Sequence, residues 1–144
     1  MTINLKLFGV KQLSKRLQKL KEEYEGPYAA AVMQTGYAIM AESVPLCPVA
    51  TGRLRRSWLV SSPEKTFSGP IVTIGYGTQY AWIVHERTDS DVNWTAEGTG
   101  PKFLEKPLDA WKRKYARFVA GKVRENRRLG ITAKSIPPRQ PGQG

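Results

Sequence analysis

The segment CPVATGRLRRSWLV, residues 47–60, is the starting point for interpreting this chain, because a turn-forming glycine and three arginines stand directly before apolar residues. Gly52 tolerates backbone angles that other residues resist, so ATGRL predicts a turn. The alternation in LRRSWLVSS then predicts a β-strand. One face of that strand would carry Leu54, Arg56, Trp58 and Val60. The segment therefore predicts a turn that leads into a strand and displays three cations, Arg53, Arg55 and Arg56.

The residues that follow predict a second strand and a long loop. PIVTIGYG, residues 70–77, is rich in β-branched residues, and the short connection before it predicts antiparallel pairing with the first strand. TQYAWIVHERT, residues 78–88, fits either a short helix or a strand. Residues 87–101 are polar and contain glycine, and a loop of this length is typical of a functional excursion.

The residues before the segment predict two helices. Apolar residues recur at three- and four-residue steps, which is typical of an amphipathic helix. They are Val10, Leu13, Leu17, Leu20 and Tyr24. Gly26-Pro27 predicts an interruption, because proline removes a backbone donor and disfavours helical geometry at the preceding residue. A second helix is expected to begin at Pro27 and to end at Pro45 and Pro48.

The C-terminal third predicts a long helix that ends near Asn126, with Pro107 in its first or second turn. Its apolar face comprises Phe103, Leu104, Leu108, Trp111, Tyr115, Phe118 and Val119. Residues 127–144 contain many prolines and glycines, and we expect them to form an extended tail or to become ordered on a partner. The sequence thus predicts an α+β fold, with a small antiparallel sheet packed against two to three helices in one domain, 1–126, and a basic tail, 127–144.

The positive charge is concentrated in the last third of the chain. The net charge is +11, and residues 102–144 hold twelve Lys or Arg against three acidic residues. The predicted basic surface comprises Lys112, Arg113, Lys114, Arg117, Lys122, Arg124, Arg127 and Arg128. Such a surface suits nucleic acid or an acidic protein partner, and it is equally compatible with a solvated helix face.

The sequence offers little for catalysis or metal binding. His85 and Cys47 are the only histidine and cysteine, which is too few for a zinc tetrad or an internal disulfide. DSDVN begins like a calcium loop, but Trp94 stands where that loop needs glycine. Neither a phosphate loop nor a nucleophile motif is present. We therefore predict no enzyme activity, no cofactor and no metal. The N-terminus lacks signal-peptide features, which favours a soluble protein made in a reducing cytoplasm.

Three segments, taken in order, resemble the neck-protein family of tailed bacteriophages, which includes head–tail joining, tail-completion and minor tail proteins. The family pattern has a proline followed by TGxLxxS, then YAxxxH, then FLxxAL at a helix start. The matching residues are Pro48, Thr51, Gly52, Leu54, Ser57, Tyr80, Ala81, His85, Phe103, Leu104 and Leu108. Cys47 replaces the alanine usual before the proline, and Pro107 replaces a small residue in the third segment.

The resemblance implies a structural virion protein that forms a ring, most often of six subunits, between the DNA-filled head and the tail. Its partners would be copies of itself and adjacent neck and tail-tube proteins, with passing contact to genomic DNA and none to a membrane. Under this interpretation Arg53, Arg55 and Arg56 are subunit-interface residues, because arginine pairs bidentately with carboxylates. The candidate partners across the subunit boundary are Asp89, Asp91 and Glu97.

A different function remains open from the residues alone. The basic helix and tail are also compatible with a nucleic-acid-binding protein that tracks phosphates. Its aromatic residues share the apolar stripe, which favours a core role over base stacking. No helix-turn-helix, zinc-finger or aromatic RNA-binding signature accompanies the helix. A hydrolase acting through His85 is a third and weaker hypothesis.

Overall fold

The computed structural model describes residues 10–87, 94 and 96–143, and it confirms the α+β class. One long helix, α1 (Val10–Leu46), runs the length of the molecule. At about 1.5 Å per residue its 37 residues extend for roughly 55 Å. The two C-terminal helices, three of the strands and the C-terminal 3₁₀ turn pack on α1, so this helix is the scaffold of the fold.

The predicted break at Gly26-Pro27 is wrong, because α1 continues through both residues. Proline inside a helix costs a hydrogen bond and about 3 kcal/mol. Contacts on both sides of Pro27 to a single partner helix offset that cost. Before the proline, Arg127 pairs with Glu23. After it, the amides of Asn126 and Gln34 exchange hydrogen bonds of 3.0 and 3.2 Å, which keeps the two halves of α1 in line.

The expected strand from Leu54 starts later than predicted. Residues Arg53–Arg56 form one helical turn, α2, and the strand β1 comprises only Trp58–Val60. Gly52 has φ of 74°, which begins the turn, and the Arg56 N–H donates to the Gly52 carbonyl at 3.0 Å. The Ser57 hydroxyl closes it by donating to the Leu54 carbonyl at 2.7 Å. These local bonds outcompete the imperfect strand alternation and turn Leu54 inward.

Four short strands form two separate antiparallel pairs. β1 pairs with β4 (Ile74–Tyr76), which confirms the predicted antiparallel partner. The strand predicted over residues 70–77 is two strands, because its first residues belong to β3 (Gly69–Ile71). β3 forms a hairpin with β2 (Glu64–Thr66), which lies in the segment expected to be a plain connection. Gly69 closes the hairpin with φ of 122° and lies against the ring of Tyr28 on α1. The small sheet therefore packs on the helix, as expected.

The segment whose structure the sequence left open is a helix, α3 (Ala81–Glu86). The single long C-terminal helix expected from the sequence is two helices, α4 (Glu105–Lys112) and α5 (Tyr115–Leu129). Pro107 lies in the first turn of α4, where its missing N–H has no intrahelical partner to lose. Trp111 and Phe118 pack edge to face at 4.9 Å across the junction, so the bend lets both rings reach one apolar site.

The C-terminal tail is extended and packs on its own chain. After a 3₁₀ turn (Ala133–Ser135), the Arg139 N–H and carbonyl bond to Val60 on β1 at 2.9 and 3.0 Å. The Arg139 guanidinium also lies over the ring of Trp58, at 4.1 Å from its centre. The Tyr37 hydroxyl donates to the Pro137 carbonyl at 2.5 Å. The tail thus adds a third strand-like segment beside β1.

No helix in the described part of the chain combines the length and the apolar composition that a bilayer crossing requires.

Two glycine substitutions should change the free energy of unfolding in opposite directions. Gly52→Ala places a side chain at positive φ and brings a Cβ to 2.8 Å from the Arg56 guanidinium, so we expect a loss of about 1–2 kcal/mol. Gly121→Ala, in the exposed middle of α5 with no atom within 4 Å of the new Cβ, should gain about 0.5–1 kcal/mol. Urea denaturation of both variants measures the two changes. Equal destabilisation by both would contradict the assigned backbone conformations.

Candidate functional site

The three sequence motifs meet in one cluster at the C-terminal end of α1. Cys47, Leu54 and Phe103 are each at most 5% exposed and contact one another. Partly buried residues from α1, β4, α3 and the start of α4 surround them: Leu46, Tyr76, Ala81, Val84 and Leu104. We call this cluster the motif junction. It explains the order and spacing of the motifs, because each one contributes a side chain to the same core.

A buried serine, which the sequence analysis missed, ties the motif junction to α1. The Ser43 hydroxyl donates to the Phe103 carbonyl at 2.8 Å and lies 2.8 Å from the Tyr76 hydroxyl. The Tyr76 ring also packs edge to face on Phe103 at 5.1 Å. The signal available in the sequence was helical spacing. Met40 comes seven residues after Met33 and Ser43 three residues after Met40, so all three lie on one buried face of the helix.

His85 lies beside the motif junction in a charged cluster. Its Nδ1 donates to Glu86 at 2.8 Å, its Nε2 accepts the Glu105 N–H at 3.3 Å, and its ring packs on Phe103. His85, Glu86 and Glu105 place ligand-type atoms within 4.8 Å of one another. The Lys102 ammonium bridges both carboxylates, and this contact lowers the pKa of Glu86. The cluster therefore joins α3 to α4 with a positive charge supplied by the chain.

Lys102 also occupies an unusual backbone position, which the sequence analysis did not single out. Its φ is 58°, the one positive value among the described residues other than glycine, and its N–H donates to the His85 carbonyl at 2.8 Å. Such a conformation is strained in residues with a Cβ and persists where surrounding bonds fix it. Here the two ion pairs and the His85 carbonyl hold the chain as it enters α4.

The three arginines of the opening segment have different environments. Arg55 is half-buried, and its Nη2 donates to the Pro45 and Cys47 carbonyls at 3.1 and 2.9 Å. These carbonyls belong to the end of α1, where backbone acceptors lack helical partners and a cation is favourable. Arg53 and Arg56 are exposed. Arg55 thus stabilises the end of α1, and the other two remain available at the surface.

The remaining predicted interface and motif residues differ in their exposure. Asp89 and Asp91 lie outside the described residues, and Glu97 is exposed. Thr51 is exposed, with its hydroxyl accepting the Arg53 N–H, and Pro48 is half-buried. Ser57 of the same motif is buried, whereas Tyr80 of the second motif and Leu108 of the third are each 37% exposed.

The predicted basic surface divides into paired and unpaired side chains. Four cations form ion pairs within the chain: Lys112 with Asp109, Lys114 with Glu42, Lys122 with Glu125, and Arg127 with Glu23. Four others are exposed and have no ion pair to any described residue: Arg113, Arg117, Arg124 and Arg128. Of the eight cations of the predicted basic surface, those without an ion pair to a described residue are therefore all arginines.

Among the described residues, large apolar side chains are exposed in several regions, including α1, α3, α5 and the β2–β3 hairpin. On α3, Trp82 and Ile83 are 68% and 51% exposed. On the N-terminal half of α1, Leu17 and Leu20 are 57% and 49% exposed, along the stripe that the sequence predicted would be packed. α5 contacts this half of α1 through the ion pair of Arg127 with Glu23, three residues after Leu20. Neighbouring exposed apolar groups typically mark interaction surfaces.

These features define a helix-rich α+β protein whose motifs build a core and whose charged and apolar groups face outward. A family model described as "Bacteriophage HK97-gp10, putative tail-component" matches residues 11–86, slightly more than half of the chain. The chain belongs to this HK97-gp10-like family of phage tail components, and its role is accordingly structural. The match includes the first two motifs and excludes α4, α5 and the tail. Comparisons with curated proteins and with solved structures returned no match.

Replacing Arg55 should destabilise the fold without any partner being present. Arg55→Met keeps much of the side-chain volume but removes both hydrogen bonds to the end of α1, so we expect a loss of about 2 kcal/mol. Arg53→Met, at an exposed position two residues earlier, is the matched control and should change stability by less than about 0.5 kcal/mol. Equal effects in urea denaturation would show that Arg55 does not cap α1.

The buried thiol should make stability fall in alkaline solution. Burial raises the pKa of Cys47 from 9.0 to about 11, and burial also raises the pKa of Tyr76. The unfolded chain therefore loses these protons at lower pH than the folded chain does. Their contribution to the free energy of unfolding is fully present below pH 9 and is lost as the pH rises towards 11. Urea denaturation at pH 7 to 10.5 measures the decline. Cys47→Ala should show a shallower decline, and an unchanged slope would contradict burial of the thiol.

Proposed function

We propose that this protein forms a ring at the head–tail junction of a tailed bacteriophage and joins the tail to the head. Membership in a family of phage tail components is the observation that supports this most directly. The ring would consist of six subunits and would contact adjacent neck and tail-tube proteins in the virion. Its layer would be that of a connector, a tail-completion protein or a tail terminator.

The distribution of exposed apolar groups supports a ring over a two-fold dimer. A ring closes through heterologous contacts, in which each subunit uses two different patches. The chain offers two such patches on different helices, Trp82 with Ile83 on α3, and Leu17 with Leu20 on α1. Large apolar residues at the centre of an interface supply most of its binding energy. One patch of each subunit would contact the other patch of its neighbour.

The arginine turn supports a charged contact at the rim of the same interface. Arg53 and Arg56 project from α2, a turn held by Gly52 and by the anchored Arg55 between them. We propose that they pair with Asp89, Asp91 and Glu97 of the adjacent subunit. Exposed ion pairs contribute about 0.2–1 kcal/mol each, so these contacts would select the orientation of the neighbour more than they would hold the ring together.

A charge-exchange experiment tests this arrangement. Variant A carries Arg53→Glu and Arg56→Glu, and variant B carries Asp89→Lys and Asp91→Lys. Each variant alone places like charges across every contact, so light scattering after size exclusion should show monomers where the wild type forms rings. An equimolar mixture pairs every altered patch with its altered complement, and alternating rings should return.

The matched control is Lys106→Glu with Lys134→Glu, which removes the same positive charge as variant A at two exposed sites away from the turn. This control should assemble as the wild type does. Failure of the mixture to reassemble would contradict the charge pairing while leaving the ring intact. A wild-type protein that remains monomeric at every concentration, with or without tail-tube protein, would contradict the ring itself.

A further inference from the structure

The unpaired arginines of the C-terminal region form a straight stripe along one face of α5. At 100° per residue, Arg124 and Arg128 lie within about 20° of Arg117 around the helix axis. Val119 and Asn126, which are buried, lie on the opposite side. Arg113 stands one turn earlier, at the junction with α4. The three arginines of α5 therefore lie on the helix face opposite these buried residues.

The dimensions of the stripe suit a polyanionic backbone. From Arg117 to Arg128 it extends for about 17 Å, at 1.5 Å per residue. Double-stranded DNA carries one phosphate per about 3.4 Å of axis on each strand, so a stripe of this length matches the axial rise of about five base pairs. Arginine binds phosphate through two parallel N–H groups, which a lysine cannot do. Spacing and side-chain type therefore both favour phosphate groups.

The surroundings of the stripe favour nucleic acid over a protein partner. Protein interfaces depend on buried apolar or aromatic anchors. The neighbours of the stripe on α5 are the exposed small residues Ala120 and Gly121, which leave the helix surface open to a wide rod-like ligand. The exposed large apolar residues of α5, Tyr115 and Leu129, lie at least about 100° from the stripe around the helix axis, and the apolar groups described above lie on α1 and α3. The stripe thus offers cations and close approach without an anchor.

We propose that Arg113, Arg117, Arg124 and Arg128 bind the phosphate backbone of double-stranded DNA, weakly and without regard to base sequence. This goes beyond the ring function and does not require it, because the stripe belongs to a single subunit. The aromatic residues of the region do not contribute base contacts: Trp111 is buried and the Phe118 ring packs against it. Binding that uses only phosphates would let DNA slide past the protein.

Glu22, an acidic residue close to the stripe, provides a test of whether the ligand is negatively or positively charged. Arg124 and Arg128 line a shallow cleft together with Glu22 and Glu23 of α1. Glu23 is neutralised by Arg127. The Glu22 carboxylate would repel phosphate at the end of the stripe, so Glu22→Gln should strengthen DNA binding, whereas it would weaken binding to a cationic ligand.

Fluorescence anisotropy with a labelled 30-base-pair duplex of random sequence tests the proposal. Four phosphate contacts predict that affinity falls on the order of a hundredfold between about 50 and 200 mM salt. Arg117→Gln with Arg124→Gln should weaken binding about tenfold at the lower salt concentration and make the salt dependence shallower by about two contacts. Lys112→Gln with Lys122→Gln removes the same charge from paired side chains and is the matched control, expected within about threefold of the wild type.

Three outcomes would overturn the proposal. These are no DNA binding by the wild type at the lower salt concentration, equal losses in the two double variants, and tighter binding of a labelled polyglutamate peptide than of DNA. The last would assign the stripe to an acidic protein. Light scattering on the same samples reports ring formation independently, so a failed ring and a failed DNA contact are distinguishable.

Discussion

The structure depends on keeping α1 straight through an internal proline. Pro27 removes a backbone donor from the middle of a helix that every larger element contacts. The Asn126 side chain, fully buried, donates to the Pro27 carbonyl and pairs with Gln34, while Arg127 holds Glu23 and stacks on Tyr24. α5 therefore contacts α1 on both sides of Pro27 and supports the helix at the proline. A bend there would move the N-terminal half of α1 relative to the sheet.

The motif junction plays the corresponding role at the other end of α1. Three segments far apart in sequence reach one core around Phe103, and Ser43 and Arg55 fix them by binding backbone carbonyls. The motif residues are mainly structural, since Gly52, Leu54 and Phe103 position neighbours that carry charge or apolar surface. Arg53 and Arg56 lie at the surface because Leu54 and Arg55 between them are anchored inside. Trp82 and Ile83 are exposed although Ala81 and Val84, on either side of them, pack in the motif junction.

Intramolecular pairing separates the two kinds of positive charge on the C-terminal region. Carboxylates on α1, α4 and α5 neutralise three lysines and one arginine, and these pairs hold the helices and line their exposed edges. Three of the four remaining arginines lie on one face of α5, opposite its buried residues Val119 and Asn126. The paired cations of this region therefore form ion pairs within the protein, whereas in our proposal the unpaired arginines bind DNA.

Local patterns in the sequence predicted the α+β class, the amphipathic helices and the turn at Gly52, because hydrophobic period and turn chemistry are local properties. The family was indicated separately, by the resemblance of three motifs taken in order. The local patterns were wrong about Pro27, about a strand from Leu54 and about one C-terminal helix. Distant residues decided the first outcome, because α5 contacts α1 on both sides of Pro27. The turn around Leu54 is held by local bonds from Arg56 and Ser57, and Leu54 then packs on the distant Phe103. Trp111 and Phe118, seven residues apart, pack together across the junction of α4 and α5. The roles of Ser43, Arg55 and Lys102 likewise depend on partners that only the tertiary structure brings within hydrogen-bonding distance, since no local pattern specifies which carbonyl or carboxylate a side chain will meet.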